Sequence, residues 1–389
     1  MRPSNGMGHL GKTGAWFYPL AGPAKQRHLR PGLVRSVAEV SSCFGWHPPS
    51  AVGEVWGSDM LVVTLLAAIG VILVGCEMFT NGVEWFGRHL NLGDGSVGSI
   101  LAAVGTAMPE TVIPIIAIVL GTSHDADAIG IGAIVGSSFM LGTLALFVTG
   151  VSVAVFSLCK TRSVLVQADP VVLERDLRYF VIAYGTTLAA TLFSGRQVKL
   201  VLAFGLLAAY AIYVWKTIGG DEASDHRLRR LYLHPQADKP HLAPTVLQMV
   251  LALAIILVGA RVFVYDIENL AYNLAVPALI LSMLITPFAT ELPEKFNSVI
   301  WVRQGKDTLA LGNITGAMVF QASVLPAVGI VLTSWQLTTP AILAASLGLL
   351  SAAAAYVQLR IRGSLHYRHL IGMGLLYAGY VVYALAVAA

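Results

Sequence analysis

The chain reads as long apolar windows separated by short polar ones. A helix needs about 20 apolar residues to cross the hydrocarbon of a bilayer. Ten such windows occur, over residues 60–85, 95–120, 128–155, 178–194, 197–216, 244–264, 275–301, 308–333, 338–357 and 366–388. The longest polar interruption, 217–243, divides them five and five. The pattern predicts an all-α polytopic membrane protein with about ten transmembrane helices. It has a leading segment 1–59, a first half 60–216, a loop 217–243 and a second half 244–389.

Composition sharpens this. Of 389 residues, 56% are apolar, 12% are charged and 38 are glycine, too little polar surface to cover a soluble globule. A soluble enzyme, a disordered regulator and a collagen-like fibre are excluded together. The net charge of +4 lies mostly in short loops, so the expected surroundings are lipid bilayer and not nucleic acid. Cys43, Cys76 and Cys159 are too scattered for a disulfide framework or a thiolate metal site.

Lys and Arg are unevenly distributed. Loops after odd-numbered windows hold 15 of them, and loops after even-numbered windows hold only Arg196 and Lys199. Because positive loops stay inside, the expectation is a multi-pass cell-membrane protein with loop 217–243 cytoplasmic and both termini outside. That loop carries Asp221, Glu222, Asp225, Arg227, Arg229, Arg230, His226, His234 and His241. It is expected to be solvated, with cation sensing as the alternative. Residues 1–59 hold six Lys/Arg on the side the count places outside, and Pro19–Pro31 reads as disordered. The expectation is an upstream extension, with the working protein beginning near Met60.

An internal repeat turns architecture into chemistry. Laid on 257–294, the stretch 73–110 matches without a gap and with nine identities. Among them Thr106, Pro109 and Glu110 meet Thr290, Pro293 and Glu294. After a small change of register across the next loop, Asp127, Gly132, Ile134 and Gly136 meet Asp307, Gly312, Ile314 and Gly316. Five windows, an odd number, separate the copies, so the two must insert in opposite senses. Inverted five-helix repeats with interrupted helices at the bilayer midplane are the architecture of secondary transporters.

Glu110 and Glu294 fall in the middle of their windows, where a carboxylate is expensive unless paired and is a functional candidate by default. Thr106 and Thr290 lie four residues earlier, on the same helical faces. Pro109 and Pro293 lack an N–H, which frees the carbonyls of Gly105 and Ala289. Two carboxylates, two hydroxyls and two loose carbonyls form a hard oxygen set of the kind Ca²⁺ takes. Asn313 and Ser137 are further candidate donors, and Gly132/Gly136 and Gly312/Gly316 are expected to serve close helix packing. Glu291 stands four residues before Lys295, the favourable order for an ion pair. The two neutralise each other, or Lys295 supplies a fixed positive charge, or Glu291 carries a proton.

At these residues the chain resembles the Ca²⁺:cation antiporter superfamily, in its sodium/calcium exchanger membrane region. Its motifs read Gly105-Thr106-Ala107-Met108-Pro109-Glu110 and Ala289-Thr290-Glu291-Leu292-Pro293-Glu294. The resemblance covers roughly 60–388 and implies ten spans in two inverted halves. It implies that Glu110 and Glu294 are the metal ligands, with Thr106 and Thr290 assisting. The second motif of each half departs from the pattern: Asn stands only at Asn313, and Ser138 and Met318 replace later polar positions, where sodium-coupled relatives help hold Na⁺. Gln321 is a partial substitute.

The function implied is antiport of Ca²⁺ against Na⁺ or H⁺, with inorganic cations as cargo and no cofactor. Competing readings are a proton-coupled or monovalent-cation exchanger without Ca²⁺ specificity, and a cation channel. An intramembrane enzyme would need a nucleophile–base set or a metal cluster, and no histidine lies in the repeat motifs. For the leading segment, N-terminal mass analysis of protein made from the native gene should find a chain beginning near Met60. A mature chain starting at residue 1 or 2 overturns that expectation.

Overall fold

Proline and glycine decide where this chain interrupts its helices and where the helices touch. The structure, a computed structural model, describes residues 58–89, 108–121, 125–160, 162–163, 166–218, 229–237 and 240–388. Its helices are α1 (Ser58–His89), α2 (Met108–Leu120), α3 (Ala126–Met140), α4 (Leu146–Leu158), α5 (Pro170–Ala189) and α6 (Arg196–Ile218). They continue with α7 (Leu242–Leu274), α8 (Ala278–Thr290), α9 (Leu292–Arg303), α10 (Asp307–Leu332), α11 (Thr339–Arg362) and α12 (Tyr367–Ala388). A π-helical turn, Leu141–Ala145, joins α3 to α4. The leading segment to residue 57 lies outside the described residues.

Helices lie in each of the ten apolar windows, and the all-α polytopic reading holds. Among the described residues, seven helical stretches, one of them α3 continued through the π turn into α4, are long and apolar enough to cross a membrane. Those that fall short do so for visible reasons. Helix α2 and helix α8 are apolar but have 13 residues each, and α5 carries Glu174, Arg175, Asp176 and Arg178. Helix α5 also starts well before its window, because the Asp169 carboxylate caps it, accepting from the Val171 N–H at 2.8 Å with Pro170 as first residue. The window 275–301 is not one helix: it breaks at Glu291, between α8 and α9.

The apolar interior has two parts. A smaller core joins α1, α2 and α7 with residues of α3 and α8, and a larger one gathers α3–α6 with α8–α12. In the smaller core α1 packs along α7 through Gly75 and Gly259. A Cβ at Gly75 would meet Ile256 at 2.8 Å and the Ala252 carbonyl at 3.3 Å. One at Gly259 would meet Ile72 at 2.8 Å and the Ala68 carbonyl at 3.4 Å. Each of these residues is the repeat partner of its counterpart, so the contact maps onto itself when the halves are exchanged.

In the larger core α3 lies backbone-close on α8. A Cβ at Gly132 would fall 2.5 Å from the Leu279 carbonyl oxygen, and one at Gly136 would fall closer still to that of Met283. Pro287 removes the N–H that would have bonded the Met283 carbonyl, so the Gly136 Cα–H faces an acceptor with no helical partner. The packing expected of the first glycine pair is therefore observed. For the second pair, the neighbours found among the described residues are Val172, 4.0 Å from a Cβ at Gly312, and the Tyr213 hydroxyl, 3.7 Å from one at Gly316. Pro326 in α10 likewise frees the Ala322 carbonyl, which accepts from the Thr187 hydroxyl at 3.1 Å.

Loops are tied down in pairs. Arg162 reaches Asp307 through two bonds, 2.6 and 2.7 Å, linking the segment before α5 to the start of α10. At the far end of α10, Arg196 donates to the Ile330 and Thr333 carbonyls, and Lys199 donates to those of Ser334 and Trp335. The two cations of the even-numbered loops thus cap a helix C-terminus. Loop 217–243 is exposed at most positions of its described stretch 229–237, in line with the solvated loop expected, and that stretch is also anchored on α1 and α7. The Asn81 amide and Trp85 indole donate to the Arg229 carbonyl, the Leu233 N–H donates to Gln248, and Leu231 is fully buried. These partners lie far away in sequence, so the loop's polar composition did not reveal them.

Substitution of Gly136 by Val should lower the thermal midpoint of detergent-solubilised protein, with overpacking costing about 1–3 kcal/mol. Gly185→Ala, with nothing within 4 Å of the added carbon, should leave the midpoint unchanged or raise it, since Ala favours helix by about 1 kcal/mol. Equal midpoints for Gly136→Val and the parent chain would contradict the packing described.

Candidate cation-binding site

Two helices, one in each half, begin in the same way at matched positions of the repeat. Helix α2 opens Met108-Pro109-Glu110, and α9 opens Leu292-Pro293-Glu294. Proline is tolerated in a first helical turn because the N–H it lacks has no intrahelical acceptor there. It also prevents the preceding turn from running on. Each glutamate is thus the third residue of a helix, beside free N–H groups and the positive end of the helix dipole. That end favours an ionised carboxylate and offers nothing to a bare cation, so the carboxylates are what a cation would meet.

Both glutamates are buried, at 4% and 8% exposure. Neither oxygen of Glu110 has a hydrogen-bond partner among the described residues, nor does Oε2 of Glu294. The charges of Glu294, Glu291 and Lys295 all act on Glu110. Glu291 itself sits at the α8–α9 break with φ −93° and ψ 9°, in the sparsely used bridge region. It is fully buried, and its Oε2 accepts from Lys295 Nζ at 3.0 Å. Lys295 also lies 3.3 Å from the Met140 sulfur, the last residue of α3 before the π turn.

The remaining sequence candidates have the following surroundings. The Thr290 hydroxyl donates back to the Thr286 carbonyl at 3.0 Å, and its lone pairs stay available. The carbonyl of Ala289 would be bonded by residue 293, a proline, and so has no helical donor. Ser137 stands one turn before Met140 and donates to the Ile134 carbonyl at 3.1 Å. Asn313, on α10, has a buried Nδ2 without a partner among the described residues. Helix α10 packs against both α2 and α9. Gly105 and Thr106 lie outside the described residues. Among the described residues, no three His, Cys, Asp or Glu side chains close to metal-ligand geometry. A cation here would therefore draw its shell from carboxylates together with hydroxyl and carbonyl oxygens.

Some neighbours were not visible as site residues. Cys76 of α1 is buried within reach of the charges of Glu110 and Glu294, yet a cysteine in an apolar helix reads as core. Gln321, already offered by the sequence as a partial substitute, is 3% exposed, lies beside Glu291, and keeps its Oε1 unpartnered among the described residues. Asp176 of α5 is a buried carboxylate with a full set of partners, namely Thr315, Tyr213 and Arg175 at 2.8–3.0 Å. It braces α5 against α6 and α10 and is not part of the cluster.

The profile of the family described as sodium/calcium exchanger protein matches residues 37–219 and, a second time, 245–386. CaxA of Alkalimonas amylolytica is 26% identical over 281 residues, 70% of this chain and 82% of that protein. The sodium/calcium exchanger MaX1 of Methanosarcina acetivorans is 25% identical over 279 residues, 65% of this chain and 77% of that one. Among solved structures, the H⁺/Ca²⁺ exchanger CAX superposes with a TM-score of 0.64 at 14% identity, covering 91% of this chain and 92% of its own. At that identity the likeness speaks for the fold. With both halves matched, the chain belongs to the sodium/calcium exchanger protein family, whose members are membrane transporters and not enzymes.

Proposed function

We propose that this protein is an antiporter exchanging Ca²⁺ for a monovalent cation, Na⁺ or H⁺, across the cell membrane by alternating access. One observation carries the reading: two buried carboxylates, Glu110 with neither oxygen and Glu294 with one oxygen unpartnered among the described residues, stand at equivalent helix starts of the two halves and within each other's field. Glu110 and Glu294 would be the principal ligands. Thr106, Thr290, the carbonyls of Gly105 and Ala289, Asn313 and Ser137 are the candidate secondary donors. The reciprocal α1–α7 contact and the twofold match to the family profile support two inverted halves of five spans each. The Lys/Arg distribution supports a cytoplasmic loop 217–243 with both termini outside.

The mechanism follows from charge. Two ionised carboxylates with no cation between them repel one another in a low-dielectric interior, and that state is costly to carry across the barrier. One Ca²⁺, or monovalent ions in its place, cancels the repulsion and lets access switch. Because both cargoes need the same carboxylates, they exclude one another, and exchange becomes obligatory. The cation is cargo here, and no cofactor enters the cycle.

Purified protein in proteoliposomes should accumulate Ca²⁺ when an outward Na⁺ or outward H⁺ gradient is imposed, each tested separately. Uptake driven by neither overturns the reading. Glu110→Gln and Glu294→Gln should each slow exchange by roughly 100-fold or more, since losing one partner of a buried charge pair costs about 3–5 kcal/mol. Both variants should keep the parent's elution profile in detergent. Normal uptake by either one would remove that residue from the site.

A further inference from the structure

The exchange reading leaves one feature unused, the lysine beside the carboxylates. Three acidic side chains, Glu110, Glu291 and Glu294, share one buried neighbourhood with, among the described residues, a single cation, Lys295. Its charge acts on all three. Lysine is badly placed here by local rules, since it is the fourth residue of α9, near the positive end of that helix. Packing does not call for it either, because a buried ion pair is usually replaceable by apolar or neutral side chains of similar size. The other half of the molecule manages without the pair: the matching positions of the first repeat are Ala107 and Thr111. The pair is thus a one-sided addition to an otherwise repeated motif, and Lys295 Nζ lies 3.0 Å from Glu291 Oε2 and 3.3 Å from the Met140 sulfur.

We propose that Lys295 is a tethered monovalent cation that cancels the charge of Glu291 permanently, so that the cargo meets only the two charges of Glu110 and Glu294. This rests on the antiport reading above and goes beyond it by fixing the coupling. Each loaded state must neutralise the same two charges, with one Ca²⁺ or with two monovalent cations. Exchange is then electroneutral, and Glu291 is a partner of Lys295 and not a ligand of the ion. Removing the ammonium alone leaves a third uncompensated carboxylate, which calls for one more monovalent cation per cycle and makes exchange sensitive to voltage.

The test uses full-length protein in proteoliposomes with the membrane potential clamped by K⁺ and valinomycin. Ca²⁺ exchange by the parent chain should change less than twofold between 0 and ±100 mV. Lys295→Met should either exchange Ca²⁺ with a several-fold dependence on potential or lose transport. The Glu291→Gln/Lys295→Met double variant, with both charges gone, should regain Ca²⁺ exchange independent of potential. Robust but voltage-dependent exchange by the parent overturns the inference and leaves the antiport reading standing. Voltage-independent exchange by Lys295→Met at the parent rate also overturns it, as does a folded double variant without transport. Absence of any Ca²⁺ exchange by the parent overturns the antiport reading, and the inference with it.

Discussion

A proline in the first turn of a helix exerts its constraint on what comes before it. Its ring occupies the place where the carbonyl four residues earlier would lie, and it has no N–H to give that carbonyl. Pro109 and Pro293 each stand in the first turn of a helix in the interior of an apolar bundle. A fresh start exposes N–H groups, and N–H groups at a helix start favour negative charge. The glutamate that follows each proline is thus held in a setting that tolerates its ionised form where the surrounding side chains alone would not. Break, carboxylate and loose carbonyl are three results of one missing hydrogen.

Features set by short-range rules were the ones legible in the sequence. The apolar windows located the helices, and the recurring Thr-x-x-Pro-Glu identified Glu110 and Glu294 as a related pair. The spacing of Glu291 and Lys295 announced their ion pair. What escaped depended on partners remote in the chain. Nothing near residue 230 shows that Trp85, Asn81 and Gln248 would hold it. Arg196 and Lys199 looked like topology signals, but in the fold they cap α10. A freed carbonyl was expected at Pro293, but a complete break at Glu291 was not, because the choice between a kink and a break rests on packing. Gly105 and Thr106 belong to the first motif and lie outside the described residues.

The two candidate glutamates stand on helices that contribute to different apolar cores. Helix α2, which carries Glu110, contributes Val112, Ile113, Ile116 and Ala117 to the smaller core. Helix α9, which carries Glu294, contributes Val302 to the larger. A carboxylate pair divided between two cores is sensitive to any movement of one against the other. Under the proposed exchange, occupancy of the pair and the relative position of the cores would bias each other.

The contact between α1 and α7, in which Gly75 faces Ile256 while Gly259 faces Ile72, is of the kind two identical chains make across a two-fold axis. Two separate half-length molecules would need no new surface to form it. In such a pair, however, every substitution arrives twice, and a lysine beside one glutamate would bring a second lysine beside the other. Joining the halves in a single chain lifts that restriction. The symmetric surface keeps the halves together, while the site between them is free to become unequal, with Glu291 and Lys295 in one half and Ala107 and Thr111 in the other.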